Sequence, residues 1–129
     1  MADSEADLAA VAKANRKFYE AHETRNLRAM EAVWEHSERV ACTHPGWPIL
    51  RGSLDVHASW KRILEGPGRN QFIITNEVVE IVGDVAWVTC DENLVAPGVT
   101  GTVAATNVFV RHPTRGWVMV NHHGSPVGA

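Results

Sequence analysis

The amino-acid sequence predicts an α+β fold, in which N-terminal helices pack on a curved antiparallel sheet that encloses a pocket. Apolar residues recur at helical spacing in the first half of the chain and alternate with a period of two in the second half. Helices that precede the strands, instead of alternating with them, favour this class over a parallel βαβ sheet. The 129 residues fit one domain, residues 1–129.

Three helices are predicted from their apolar stripes and their end signals. The first begins after Ser4, a possible N-cap, and carries acidic residues in its first turn that suit the helix dipole. A short second helix restarts at Asn26. The third follows Gly52, with Ser53 as its expected cap, and ends at Glu65-Gly66-Pro67-Gly68.

The predicted strands lie mainly in the second half of the chain. A short strand at residues 39–43 precedes His44-Pro45-Gly46-Trp47-Pro48, where two prolines and a glycine exclude regular structure. Gly83-Asp84 is a two-residue turn signal that joins the first two long strands into a hairpin. The long strands are expected at residues 71–82, 85–94, 102–111 and 117–123.

Composition and charge exclude several classes of function. The net charge is −3 and no Lys/Arg run occurs, so the sequence lacks the basic patch expected of a nucleic-acid-binding protein. No apolar stretch approaches the ~20 residues of a membrane span. The acidic N-terminus has the wrong sign for a secretory signal, so we predict a cytoplasmic location with Cys42 and Cys90 reduced.

No motif for a metal or a cofactor occurs. The seven histidines form no HxxxH or HExxH pair, the cysteines form no CxxC, and no glycine-rich phosphate loop is present. We therefore expect neither a metal nor a cofactor. A site assembled from His44, His57 and His123 is the one metal alternative that the sequence leaves open.

Short motifs along the chain occur in an order that resembles the nuclear transport factor 2-like superfamily, in particular its SnoaL-like and ketosteroid-isomerase-like branch. These motifs are Phe18-Tyr19-Glu20-Ala21-His22, Thr43-His44-Pro45, Leu50-Arg51-Gly52-Ser53, Gly83-Asp84-Val85-Ala86-Trp87-Val88, and Gly116-Trp117 with His123-Gly124-Ser125. The resemblance covers about residues 8–125, the expected ordered core. It implies a cone-shaped, cystatin-like fold with a pocket at its open end, and a homodimer that packs through the outer sheet face. It implies no single activity, because members include isomerases, dehydratases, polyketide cyclases and non-enzymatic binding domains.

The residues at the family's catalytic positions depart from the isomerase pattern. Isomerase chemistry needs a carboxylate base and an oxyanion hole made of a tyrosine and a protonated carboxylic acid. The resemblance puts His44 at the position of the base and Phe18 at that of the tyrosine, with Tyr19 one residue off that face. Steroid isomerase activity is therefore not expected. His44, whose ordinary pKa is near 6.5, still suits proton transfer, or it is a surface-turn histidine that packs on Trp47 or Pro45.

Polar residues on the long strands are further site candidates. A period of two puts His122 and His123 on opposite faces of the last strand, so only one of them points inward. The resemblance favours His123, through its closing His-x-Ser pattern. We expect Asp91 to join Asn107 or His123 in a polar patch at the pocket floor, unless these groups are solvated or form a polar dimer interface.

Two functions of different class remain open. One is a non-catalytic dimeric domain that binds a small hydrophobic ligand or serves association. The other is an acid–base enzyme (isomerase, dehydratase or cyclase) with His44 as the proton carrier and Asp91 as the carboxylate. In either case the expected ligand-binding residues are Phe18, Tyr19, His22, Trp47, His57, Trp60, Asn107 and His123.

Overall fold

The computed structural model describes residues 5–95 and 100–128. The helices are α1 (Glu5–Glu23), α2 (Leu27–Val33) and α3 (Ser53–Glu65). The strands are β1 (Ala41–Thr43), β2 (Leu50–Arg51), β3 (Phe72–Val82), β4 (Val85–Leu94), β5 (Gly101–His112) and β6 (Gly116–Pro126). The predicted α+β class and the order of three helices before four long strands are confirmed, whereas the two-residue strand β2 was not predicted.

All six strands form one sheet in the order β2-β1-β6-β5-β4-β3. The four long strands pair antiparallel with one another, as predicted, but β1 pairs in parallel with β6. The register shifts between Thr75 and Val78 in β3, and again where Val108 and Phe109 of β5 face β6. Such bulges bend the strand that carries them, so they curve the sheet around α1.

The helix ends follow local backbone chemistry. The Asn26 side chain accepts a hydrogen bond from the Ala29 N–H at 2.9 Å and so caps α2, whose start near Asn26 was predicted. The prediction that Ser53 caps α3 is wrong, because Ser53 is the first residue of the helix. Gly52 occupies the N-cap position, and no side chain makes a capping hydrogen bond there. Gly52 has φ of +87°, a backbone conformation that favours glycine. Ser4, the expected cap of α1, lies outside the described residues.

The concave face of the sheet carries the apolar core and, at one end, polar side chains. The inward residues of β4 are Ala86, Val88, Cys90 and Glu92, and those of β5 are Val103, Ala105, Asn107 and Phe109. Against them pack Val11, Phe18 and Tyr19 of α1 and Trp60 of α3. In the described part of the chain, no helix is long and apolar enough to cross a membrane.

Candidate functional site

Five polar side chains are buried inside the concave sheet, and we call them the interior polar cluster. They come from α1, β4, β5 and β6, and each is at most 4% exposed: Asn15, Tyr19, Glu92, Asn107 and His122. A buried polar group without a partner costs about 1–3 kcal/mol, so their arrangement depends on hydrogen bonds among themselves and on one from Asn15 Nδ2 to Glu77 Oε2 at 3.0 Å.

Asn107 is the centre of the interior polar cluster. Its Nδ2 donates to Asn15 Oδ1 at 2.8 Å and to the Tyr19 hydroxyl oxygen at 3.1 Å. Its Oδ1 lies 2.6 Å from His122 Nδ1. Because that oxygen only accepts, His122 carries its proton on Nδ1 and presents an unprotonated Nε2. One amide therefore fixes the phenol of Tyr19 and the tautomer of His122 together.

Tyr19 and Glu92 form a second short contact in the interior. The Tyr19 hydroxyl donates to Glu92 Oε2 at 2.6 Å and lies 3.4 Å from Cys90 Sγ. Burial raises the pKa of Glu92 from 4.5 to about 7, although the bond from Tyr19 acts in the opposite direction. Burial and the neighbouring Glu92 also raise the pKa of Tyr19, so the phenol stays a neutral donor. Glu92 is thus an acid group whose protonated and ionised forms coexist near neutral pH.

His44 lies buried at the end of β1, only 4% exposed. Its Nε2 is 2.8 Å from Ser59 Oγ, and the Ser59 hydroxyl itself donates to the Val56 carbonyl at 2.7 Å. His44 therefore donates from Nε2 and keeps an unprotonated Nδ1. Burial lowers its pKa to about 4, so the ring is neutral at physiological pH. Its ring centroid is 4.8 Å from that of Trp47, a buried packing instead of the surface-turn alternative.

Trp60 connects His44 to the interior polar cluster. Its ring centroid lies 4.6 Å from that of His44, 5.4 Å from Phe18 and 6.2 Å from His122. His22 packs on the same indole at 5.2 Å and accepts a hydrogen bond from Asn70 Nδ2 at 3.1 Å. Burial lowers the pKa of His22 to about 4 and that of His122 to about 3. Three neutral histidines and one carboxyl group of raised pKa therefore share one aromatic interior.

The structure brings together six of the residues that the sequence singled out: Phe18, Tyr19, His22, His44, Trp60 and Asn107. Trp47 lies beside them through its contact with His44. Tyr19, expected one residue off the inward face, is buried together with Phe18. The reason is geometric, because a helix enclosed by a concave sheet buries an apolar stripe at least ~100° wide, which covers adjacent residues.

Asp91, the expected catalytic carboxylate, lies on the other face of β4. Its cross-strand neighbours are Thr75 and Ala104, and it lines an outer depression of about 340 Å³ together with His123. It therefore cannot meet Asn107, and Glu92 is the inward carboxyl. The sequence held a signal for this, because Ala86, Val88 and Cys90 share a face with Glu92 and are the more apolar set.

A bulge in β6 explains why His122 points inward instead of His123. Asn121 pairs with Val108 while Met119 pairs with Phe109, so Val120 is an extra residue in the strand. Strict alternation from the buried Met119 would have turned His123 inward, but one extra residue reverses the faces. His122 consequently lies opposite Asn107, and His123 is exposed. No local sequence signal marks Val120 as the bulged position.

His57 is also placed apart from the interior polar cluster. It pairs with Glu31 across 3.3 Å, between its Nε2 and a carboxylate oxygen, near a cavity between α2 and α3. His44, His57 and His123 therefore lie in three separate places. Over residues 5–95 and 100–128, no group of three or more His, Cys, Asp or Glu side chains is arranged to hold a metal ion.

Comparisons with known proteins agree on the kind of domain. The family model described as "SnoaL-like domain" matches residues 11–129. A solved protein from Streptomyces avermitilis, named as a candidate dehydratase of the NTF2-like family, is 38% identical, with a TM-score of 0.89 over 97% of this chain and 99% of that chain. A candidate calcium/calmodulin-dependent protein kinase type II association domain from Thiobacillus denitrificans is 34% identical, with a TM-score of 0.81 over 91% of this chain and 94% of that chain.

A curated relative extends the comparison to a longer protein. The F-box protein SKIP8 of Arabidopsis thaliana is 33% identical over 116 residues, which are 90% of this chain and 49% of that protein. The chain therefore spans about half the length of the curated relative that it matches.

Proposed function

Because this chain belongs to the SnoaL-like domain family and has the nuclear transport factor 2-like fold, we propose that it is an acid–base enzyme acting on a small, largely apolar carbonyl compound. One observation carries the proposal: Tyr19 and Glu92 are both buried in the interior, 2.6 Å apart, and Glu92 has a pKa of about 7. A strongly perturbed carboxyl group in such an interior supports a functional role.

The proposed chemistry is proton transfer at the carbon beside the carbonyl group. Ionised Glu92 removes that proton, and its pKa near the working pH suits a general base that must later return the proton. The Tyr19 hydroxyl, whose single proton points to Glu92 Oε2 in the free protein, turns that proton to the carbonyl oxygen of the bound substrate, where negative charge develops in the transition state. Asn107 holds the phenol in place through its 3.1 Å bond. In this scheme Glu92 takes the role that the sequence had given to Asp91.

His44 is proposed as the second proton carrier. Its unprotonated Nδ1 accepts a proton, and the Ser59 hydroxyl fixes the orientation of the ring. For a substrate with a β-hydroxyl group, the proton taken up at Nδ1 passes to the departing hydroxyl while Glu92 removes the α-proton, so the hydroxyl leaves as water. Loss of water is the reaction suggested by the name of the Streptomyces avermitilis relative. We place the entrance at the half-buried rings that border the interior, those of His22, Trp47 and Phe72.

The test is exchange of α-protons in D₂O, followed by proton NMR on a panel of enolisable ketones such as cyclohexanone and 4-phenyl-2-butanone. We expect Glu92→Gln to reduce the catalysed exchange roughly 10²–10⁴-fold, the usual contribution of a general acid–base group. Asp91→Asn is the matched control, because the same change is made one residue away on the outer face. Equal exchange rates for wild type and Glu92→Gln would show that Glu92 is not the base.

A second candidate function is association through the outer sheet face. The 34% identity to a candidate association domain favours it, as does the outer depression lined by small and polar residues that include Thr106, His123 and Ser125. In this function a second copy of the chain packs on that face as a homodimer. Light scattering on Thr106→Arg tests it, since a large charged side chain there should produce monomers, and an unchanged mass would argue against this interface.

A further inference from the structure

Glu77 is an exposed residue of β3 whose carboxylate reaches the interior polar cluster. At the bulge of β3, two residues, Asn76 and Glu77, lie opposite the single residue Cys90 of β4. Asn76 has φ of +56°, a left-handed conformation that asparagine adopts more readily than most residues. A bulge of this kind re-aims the side chains beside it, and Glu77 Oε2 accepts a hydrogen bond from Asn15 Nδ2 of α1 at 3.0 Å. A surface charge therefore meets the buried amides at this point.

This carboxylate fixes the direction in which the two buried amides point. A carboxylate only accepts hydrogen bonds, so Asn15 must turn its Nδ2 to Glu77 and its Oδ1 to Asn107. Asn107 must then present its Nδ2 to Asn15, at 2.8 Å, and to the Tyr19 hydroxyl oxygen, at 3.1 Å. The remaining Oδ1 of Asn107 faces His122 Nδ1 at 2.6 Å, so the proton of His122 stays on Nδ1. One acceptor at the surface thus sets the direction of all these hydrogen bonds.

The other groups of the interior polar cluster fit either direction. The Tyr19 hydroxyl and a protonated Glu92 each donate and accept, and a neutral His122 has two tautomers. The Cys90 thiol, 3.4 Å from the Tyr19 hydroxyl, is both a weak donor and a weak acceptor. Reversing both amides would leave these groups paired and would set only Glu77 against an oxygen. Ionised Glu92 also only accepts, and it favours the same direction as Glu77 does.

We propose that Glu77 is a positioning residue that selects one of two hydrogen-bond directions in the interior polar cluster. The catalytic consequence of this choice rests on the proposed function. In the observed direction Asn107 donates to the Tyr19 oxygen, so the single phenol proton is left for the substrate carbonyl. In the reversed direction Asn107 Oδ1 competes for that proton, and His122 carries its own proton on Nε2.

Reversing the charge of Glu77 tests the proposal. A lysine ammonium only donates, so Glu77→Lys should draw the Asn15 oxygen toward itself and reverse both amides. His122 should then change from the Nδ1–H to the Nε2–H tautomer, which the ¹⁵N chemical shifts of the labelled imidazole distinguish. Glu77→Gln, whose amide pairs with either end of the Asn15 amide, should give a mixture of the two tautomers. The measurement is made at pH 6, where Glu92, with a pKa of about 7, is mostly protonated and fits both directions.

Glu80→Lys is the matched control, because it makes the same charge change on the outer face of β3, opposite Trp87. It should leave the tautomer of His122 as in wild type. A His122 that keeps its proton on Nδ1 in both Glu77 variants would overturn the proposal. If Glu77→Lys does not fold, Glu77→Gln decides alone, since a single Nδ1–H tautomer there would refute the selection by Glu77.

The catalytic consequence is measured by α-proton exchange at the same pH. Glu77→Lys should lower kcat at least about tenfold, because Tyr19 loses part of its proton donation to the carbonyl, and KM should change much less. An unchanged kcat in a Glu77→Lys protein with the reversed tautomer would overturn this consequence. Exchange that is absent already in wild type would contradict the proposed function instead, and the tautomer of His122 would still decide the role of Glu77.

Discussion

Replacing Glu92 by Gln should remove a specific part of the pH dependence of stability. The amide still accepts the Tyr19 hydroxyl bond and has a similar shape, but it does not titrate. In the native protein the pKa of Glu92 is about 7, above its ordinary value of 4.5. A raised pKa means that the native state favours the protonated form, so the contribution of Glu92 to stability is complete below pH 4.5 and is lost as the pH rises through 7.

The magnitude follows from the two pKa values. At about 1.4 kcal/mol per pKa unit, the difference between 4.5 and about 7 corresponds to about 3 kcal/mol for this buried carboxyl. The buried histidines act in the opposite direction over an overlapping pH range, so the wild-type profile alone does not isolate Glu92. The difference between wild type and Glu92→Gln does isolate it, because the histidines are present in both proteins.

The assay is urea unfolding at half-unit steps from pH 5 to pH 8. We expect the unfolding free energy of wild type, relative to Glu92→Gln, to fall by about 2–3 kcal/mol across this range. Asp91→Asn, the outer-face control, should give a profile parallel to wild type. Parallel profiles for wild type and Glu92→Gln would refute the assignment of a raised pKa to Glu92, and with it the basis of the proposed base.

Three further perturbations test the rest of the interior and one helix end. Asn107→Ala leaves Asn15, Tyr19 and His122 each one partner short, so urea unfolding at pH 7 should show a loss of about 3 kcal/mol. His44 has a native pKa of about 4, below its ordinary 6.5, so its contribution is present above pH 6.5 and is lost as the pH falls through 4. His44→Gln should therefore reduce the loss of stability between pH 6.5 and pH 4 by up to about 3 kcal/mol. Asn26→Ala removes the cap of α2 and should cost about 1 kcal/mol in thermal unfolding.

Each of these perturbations has an outcome that contradicts its reasoning. An Asn107→Ala protein as stable as wild type would mean that the interior polar cluster is not held by this amide. An acid profile of His44→Gln that coincides with wild type would mean that His44 does not titrate as a buried ring. Asn26→Ala without any loss would mean that the cap bond contributes nothing to α2.

Several expectations from the sequence stay predictions. They are the single-domain organisation over residues 1–129, the cytoplasmic location, the homodimer through the sheet, and the small hydrophobic ligand. The chain matches only half of its curated relative, so the activity of that longer protein does not follow for this one.

The sequence by itself determined the order of elements and most of their bounds. Helical spacing over α1 and α3 and alternation over β3 to β6 are local properties, because they follow from which side chains a repeating backbone presents to one side. The start of the second helix near Asn26 and the turn at Gly83-Asp84 were likewise predicted from residue chemistry alone. The family resemblance then predicted how these elements pack, with a curved sheet around α1.

Only the tertiary structure decided which polar residues meet. Alternation defines two faces of a strand, and the more apolar face of β4 carries Glu92, but only the packing of the sheet on α1 decided that the core covers this face and leaves Asp91 on the other. Because Val120 is an extra, bulged residue in β6, His122 lies opposite Asn107 and His123 faces outward. The position of this bulge depends on how β6 pairs with β5. The fold could be predicted because its signals repeat along the chain, whereas the site depends on single residues brought together across four elements.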